Sequence, residues 1–178
     1  NTTLDLYVLS TNINNNLTYA SKALKSNLRT YINQYRMIGD TVNIKDAFVV
    51  NIGINYEIIT LPDYNNSNIL TACNVALQNF FNINNWQINQ PILLRDLSII
   101  LDNINGVQTV SNITISNKAG TTSGYSQYAY DVTGALQNGT IFPSIDPMIF
   151  EVKYPNIDIV GRVVSLGQGG GSTANGGG

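Results

Sequence analysis

Between Asp46 and Leu61 apolar and polar residues alternate with a period of two. Val50, Ile52, Ile54, Tyr56 and Ile58 fall on one side, and Asn51, Gly53, Asn55 and Glu57 on the other. Strand side chains point alternately to opposite faces, so this run predicts one long strand with a single buried face, ended by Pro62. Such a face has to be covered, and the rest of the chain supplies the cover.

Leu17, Ala20, Leu24, Leu28, Tyr31, Ile32, Tyr35 and Ile38 recur at three- and four-residue steps, and Gly39 follows as a stop. That spacing predicts an amphipathic helix. A second helix is predicted after Asn65-Asn66-Ser67, with Ile69, Leu70, Cys73, Ala76, Leu77, Phe80 and Phe81 as its apolar stripe. A third starts after Pro91, turns Leu93, Leu97, Ile100, Leu101 and Ile104 inward, and ends at Asn105-Gly106. Leu4 to Leu9 reads as a short strand. Val107 to Ser116 reads as another, with Val107, Thr109, Ser111 and Ile113 sharing one face. This order predicts an α+β fold, a ferredoxin-like layer sandwich with helices on one face of a mostly antiparallel sheet. Beyond Asn117, short extended runs punctuated by Pro143, Pro147 and Pro155 predict a C-terminal β-arm. The expected organisation is a 1–116 sandwich module, a 117–166 arm for subunit contacts and a 167–178 flexible tail holding seven of the fifteen glycines.

The chemistry open to the chain is narrow. Among 178 residues there is no histidine and one cysteine, Cys73, which removes Ser-His-Asp and Cys-His catalysis, histidine-ligated zinc and intrachain disulfides. Cys73 itself reads as core filling. Asp96 and Asp102 lie off a common helix face, and Asp146, Glu151 and Asp158 flank the arm's turns, so no carboxylate pair is expected in a cleft. No enzyme activity, cofactor or metal is expected. The opening residues carry no Met, basic or apolar leader region, so no signal peptide is expected and the chain reads as a piece of something longer. The five Asn-x-Ser/Thr sequons are about what 26 asparagines produce by chance and say nothing of secretion. The long uncharged stretch from Tyr64 to Leu94 holds nine asparagines and Pro91, which a membrane-spanning helix would not tolerate.

Charge is the unusual quantity. Asp, Glu, Lys and Arg make up 11% of the chain, against about 25% in ordinary soluble domains, and asparagine supplies the missing polarity. Charge is absent from Tyr64 to Leu94 and from Ala47 to Tyr56. Interface cores are depleted in charge, so these stretches are expected to face neighbouring chains, or else to reflect a drift toward Asn. Lys22, Lys25, Arg29 and Arg36 lie on one stripe of the first helix. Two readings stand for it, a basic face for an acidic partner and a solvated helix face; interleaved aromatics, which nucleic-acid binding would want, are missing.

Two strings resemble a known family. Trp86 to Leu94 (WQINQPILL), running through Leu97 to Asn105-Gly106-Val107-Gln108-Thr109-Val110, resembles the C-terminal region of J-like baseplate wedge subunits of contractile-tailed bacteriophages, where a helix runs into a Gly-Val-x-x-Val strand. The later Tyr128 to Asp131 (YAYD) and Phe142 to Val164 (FPSIDPMIFEVKYPNIDIVGRVV) look like the version found in T-even-like wedge subunits. The resemblance covers roughly Leu17 to Leu166, without the N-terminal half of such subunits and without a family role for the Gly-rich extension. It implies a structural part of the virion, resident in the host bacterial cytoplasm during assembly. Copies would pair with each other, with other wedge proteins and with hub or sheath-proximal proteins in a ring around the hub, coupling baseplate rearrangement to sheath contraction. Nucleic acid, membrane and small-molecule substrates are not among the expected partners. The residues expected at the arm's interface are Tyr128, Tyr130, Phe142, Pro143, Asp146, Pro147, Phe150, Tyr154 and Arg162. Two other classes remain open: a binding module such as an adhesin or receptor-binding domain, and a small ferredoxin-like enzyme.

Overall fold

The structure, a computed structural model, describes residues 2–35, 38–143 and 146–165. In chain order its elements are β1 (Thr3–Val8), β2 (Ser10–Thr11), β3 (Leu17–Thr18), α1 (Lys22–Asn33), β4 (Thr41–Asp46), β5 (Phe48–Thr60), α2 (Asn66–Phe80), β6 (Ile92–Leu93), α3 (Leu94–Asp102), β7 (Val107–Lys118), α4 (Val132–Ala135), β8 (Leu136–Gln137), β9 (Thr140–Ile141), β10 (Met148–Glu151), α5 (Pro155–Asp158) and β11 (Ile159–Val163). The fold is α+β, and its sheets mix parallel and antiparallel pairs.

The alternating run forms β5, the spine of the main sheet. On one side β7 runs antiparallel along nearly its whole length, with Ile115 opposite Ile54 and Ile113 opposite Tyr56. On the other side two short strands share the edge end to end and both run parallel to β5, β10 beside Phe48–Asn51 and β11 beside Ile54–Ile58. Between them the chain leaves the sheet through α5, with Pro155 in its first turn. The expected boundary at 116/117 therefore falls inside β7 and within one sheet, to which the segment read as an arm contributes β10 and β11. The prolines delimit these short strands: the Pro147 carbonyl accepts from the Phe48 N–H at 2.9 Å where β10 begins. The 167–178 tail lies outside the described residues.

Val50, Ile52, Ile54, Tyr56 and Ile58 are at most 1% exposed. Against β11 packs α2, and against β7 packs α3, bringing in Ile69, Cys73 and Leu77 from the first and Leu97 and Leu101 from the second. Full burial of each such aliphatic side chain is worth about 1.5–3 kcal/mol. Tyr56 also donates its hydroxyl to Asn74 Oδ1 at 2.7 Å. Its ring lies across the neighbouring strand at Gly161, where a Cβ would come within 2.1 Å of it, so a glycine is required there. Register shifts between Glu57 and Ile58 and between Ile59 and Thr60 change which residues of β7 point inward. Ile115 and Ile113 do so on one side of the first shift and Val110, opposite Ile58, on the other, while Thr109 and Ser111 are exposed.

The first helix is shorter than its stripe. Leu17 and Thr18 pair with Thr11 and Ser10 as a hairpin. Its turn is held by the Asn12 carboxamide, which accepts from the N–H groups of Asn14 and Asn16 at 2.9 and 3.0 Å. Ser21 then caps α1 by accepting from Leu24 N at 3.1 Å.

Candidate interaction surface

The second face of β5 is open only in part. Asn51, expected on a solvated face, is 1% exposed. Its side-chain nitrogen donates to Glu151 Oε1 on the adjacent strand at 2.8 Å, its Oδ1 accepts from Ser126 N at 2.7 Å, and its carbonyl accepts from Asn117 Nδ2 at 3.0 Å. Glu151 Oε2 accepts from Leu17 N at 2.5 Å. These bonds fasten β3 and the 117–130 segment onto the sheet. Burial pushes the Glu151 carboxyl above its ordinary range, opposed by the hydrogen bonds from Leu17 and Asn51. Asp158, also buried, accepts from the Tyr125 hydroxyl at 2.7 Å and from Tyr154 N at 3.2 Å; Tyr125 is pushed up to about 12, by burial first and then by Asp158. The sequence reading sets Glu151 and Asp158 beside the arm's turns, and the structure buries both. The signal for burial was Glu151 standing inside the apolar run Met148 to Val152.

The nine residues expected at an interface divide sharply. Tyr130, Pro147 and Phe150 are buried in the fold. Tyr130 packs edge-on against Phe150, with ring centroids 5.7 Å apart, and donates its hydroxyl to the Phe142 carbonyl. Tyr130 and Phe150 belong to the core, and none of the three presents an exposed side chain to a neighbour. Tyr128, half-buried, sits edge-on against Phe48 at 4.8 Å. Tyr154 and Pro143 are half-buried as well, and Tyr154 packs edge-on against Tyr125. Phe142, Asp146 and Arg162 are exposed: Asp146 accepts from Asn89 Nδ2 at 2.7 Å, and Arg162 pairs with Glu57 across the open part of the sheet. The uncharged stretches divide too. Ala47 to Tyr56 is neutral because β5 is buried, with Asn55 its exposed member. In the Tyr64 to Leu94 stretch, by contrast, α2 keeps a neutral outer face in Thr71, Ala72, Val75 and Asn79.

What sequence reasoning missed as surface is α1. Its stripe was expected to face the sheet, yet none of the helix's residues is buried. Leu28 and Ile32 are half-covered, whereas Leu24, Tyr31 and Tyr35 are 47%, 59% and 73% exposed. The rings of Tyr31 and Tyr35 pack against each other in a tilted arrangement, centroids 5.2 Å apart. Of the basic stripe, Lys25 pairs with Asp46 at 2.5 Å, Lys22 and Arg29 are exposed, and Arg36 lies outside the described residues. Beside it, β1 and β4 form a two-stranded parallel sheet whose other edges pair with no strand among the described residues. Parallel strands are normally covered on both faces, and two strands alone are marginal.

Cys73 is buried against the Tyr56 hydroxyl, and burial pushes its thiol up to about 11, which leaves it protonated and unreactive near neutral pH. Among the described residues no helix is long and apolar enough to cross a membrane, and no group of three His, Cys, Asp or Glu could hold a metal ion. No protein-family model matches the chain, and no curated protein is significantly similar to it.

Proposed function

We propose that the chain is a structural subunit of a phage tail baseplate wedge. It would form ring and dimer contacts around the hub and couple baseplate rearrangement to sheath contraction. The observation that carries the reading is the first lobe: an amphipathic α1 with no buried residue beside a parallel strand pair whose other edges meet no strand among the described residues. A protein alone in solution gains nothing from exposing that surface, whereas in a ring a neighbour covers it. The resemblance of Phe142 to Val164 to T-even-like wedge subunits agrees. Of the ferredoxin-like plan, the reading keeps the layer of α2 and α3 over one face of the sheet. In this reading the partners are a second copy and other wedge, hub or sheath-proximal proteins. The chain turns over no substrate, needs no cofactor, and resides in the virion after assembly in the bacterial cytoplasm.

Sedimentation velocity tests this. The wild type is expected to self-associate with rising concentration, and the Leu24→Ser/Tyr31→Ser/Tyr35→Ser variant to stay monomeric with unchanged folding. Association that persists in the triple variant, or a wild type that stays monomeric throughout, contradicts it. A second reading, a binding module of a tail or surface structure, is favoured by the amide-lined cleft treated next.

A further inference from the structure

On the side of the sheet's end where α5 leaves it, a cleft of about 540 Å³ opens between the 14–16 turn, the C-terminal end of α2 and the segment from Glu151 to Ile157. The two charged groups among its described lining residues are already engaged. Both Glu151 oxygens accept hydrogen bonds from Asn51 and Leu17, and the Lys153 ammonium donates to the Gly124 carbonyl. What the cleft offers a ligand is carboxamides. Gln78 Nε2 donates to Asn156 Oδ1 at 3.1 Å, which leaves Gln78 Oε1 and Asn156 Nδ2 without a hydrogen-bond partner among the described residues. Asn82 uses only its Oδ1, on Asn84 N at 3.0 Å. The side chains of Asn14, Asn16 and Asn79 bond to nothing among the described residues. Apolar surface stands at the rim and floor, where Ile157 is 68% exposed and Phe81 is buried.

We infer that this cleft binds a neutral carbohydrate. A carboxamide places one donor and one acceptor side by side, which matches the vicinal hydroxyls of a sugar ring. The apolar rim matches the ring's C–H face, and the absence of a disengaged charge among the described lining residues disfavours ionic ligands. An extended peptide would want an open strand edge for its backbone, and the cleft presents side chains from three separate segments instead. This inference goes beyond the assembly role and does not depend on it.

The test is a titration of the labelled protein with maltotriose, cellotriose, chitotriose and xylotriose into the millimolar range, followed by two-dimensional ¹⁵N NMR. At least one sugar is expected to shift the side-chain amides of Gln78, Asn79 and Asn156 and the backbone of 14–16 and 151–157, with β5 unmoved. The exposed-site variant Gln78→Ala/Asn156→Ala should keep the spectrum of the folded core and weaken that binding at least tenfold. The inference is overturned if none of the four sugars shifts the cleft, if the variant binds like the wild type, or if an Asn/Ser peptide shifts the same signals while the sugars do not.

Discussion

The lobe formed by residues up to Asp46 and the body from Ala47 onward are built from similar residues and end in opposite states. In the body, β5 is clamped between β7 and two parallel strands under two helices, and a contiguous core runs from Val49 to Ile159. Among the described residues of the lobe the buried apolar ones are Ala20, Val42 and Ile44, and none joins that core, which the lobe meets through the half-buried Leu9 and Leu17. Both regions carry clean amphipathic patterns. A pattern states that an element has a face to cover, and it does not state whether the cover comes from the same chain.

The contrast can be broken most severely by cutting the chain after Gly120. If residues beyond that point were an appendage, the remainder would fold. Because they supply β10 and β11 to the spine, the truncated chain is expected to lose its cooperative thermal transition altogether, which circular dichroism reads. Single substitutions sharpen the same line. Ile54→Ala, at a fully buried spine position, is expected to cost about 2–5 kcal/mol in denaturant unfolding, whereas Leu24→Ala on α1 stays within about 0.5 kcal/mol in dilute monomer. Equal costs at the two sites would erase the distinction.

A smaller effect is expected where lobe and body are tied together. Glu151→Gln leaves either Leu17 N or Asn51 Nδ2 facing an amide nitrogen, since Asn51 is held in its orientation by Ser126 N. An unsatisfied buried donor costs about 1–3 kcal/mol. The pH dependence supplies a second readout. The folded carboxyl holds its proton more tightly than the unfolded one, whose ordinary value is 4.5, because burial raises it. This group's contribution to stability is therefore greatest in acid and declines as pH rises from 4.5 through the raised value. Denaturant titrations should show that decline in the wild type and not in the variant.

The body was largely legible because alternation in β5 and the stripes of α2 and α3 follow local geometry. Three features were not. The inward residues of β7 depend on a bulge that no pattern encodes, so Val107, Thr109, Ser111 and Ile113 do not share one face as strict alternation predicts, and Thr109 and Ser111 are exposed. The partners of β10 and β11 lie about a hundred positions away, and short proline-flanked runs such as Met148 to Tyr154 look the same on an arm as in a sheet edge. At the surface, aromatics and proline in an irregular segment resemble an interface, which is why Tyr130, Pro147 and Phe150 are expected as contacts, while all three are buried and Tyr130 and Phe150 belong to the core. Conversely, α1 was read as packed because its stripe is regular.

Whether a neighbour completes the lobe is tested most directly by hydrogen exchange followed by mass spectrometry at increasing protein concentration. Amides of Thr3–Val8 and Lys22–Asn33 are expected to exchange fast in dilute solution and to gain protection as concentration rises, while β5 and β7 stay protected throughout. Protection of those two segments that is already complete in dilute monomer, or that does not change with concentration, would contradict the account.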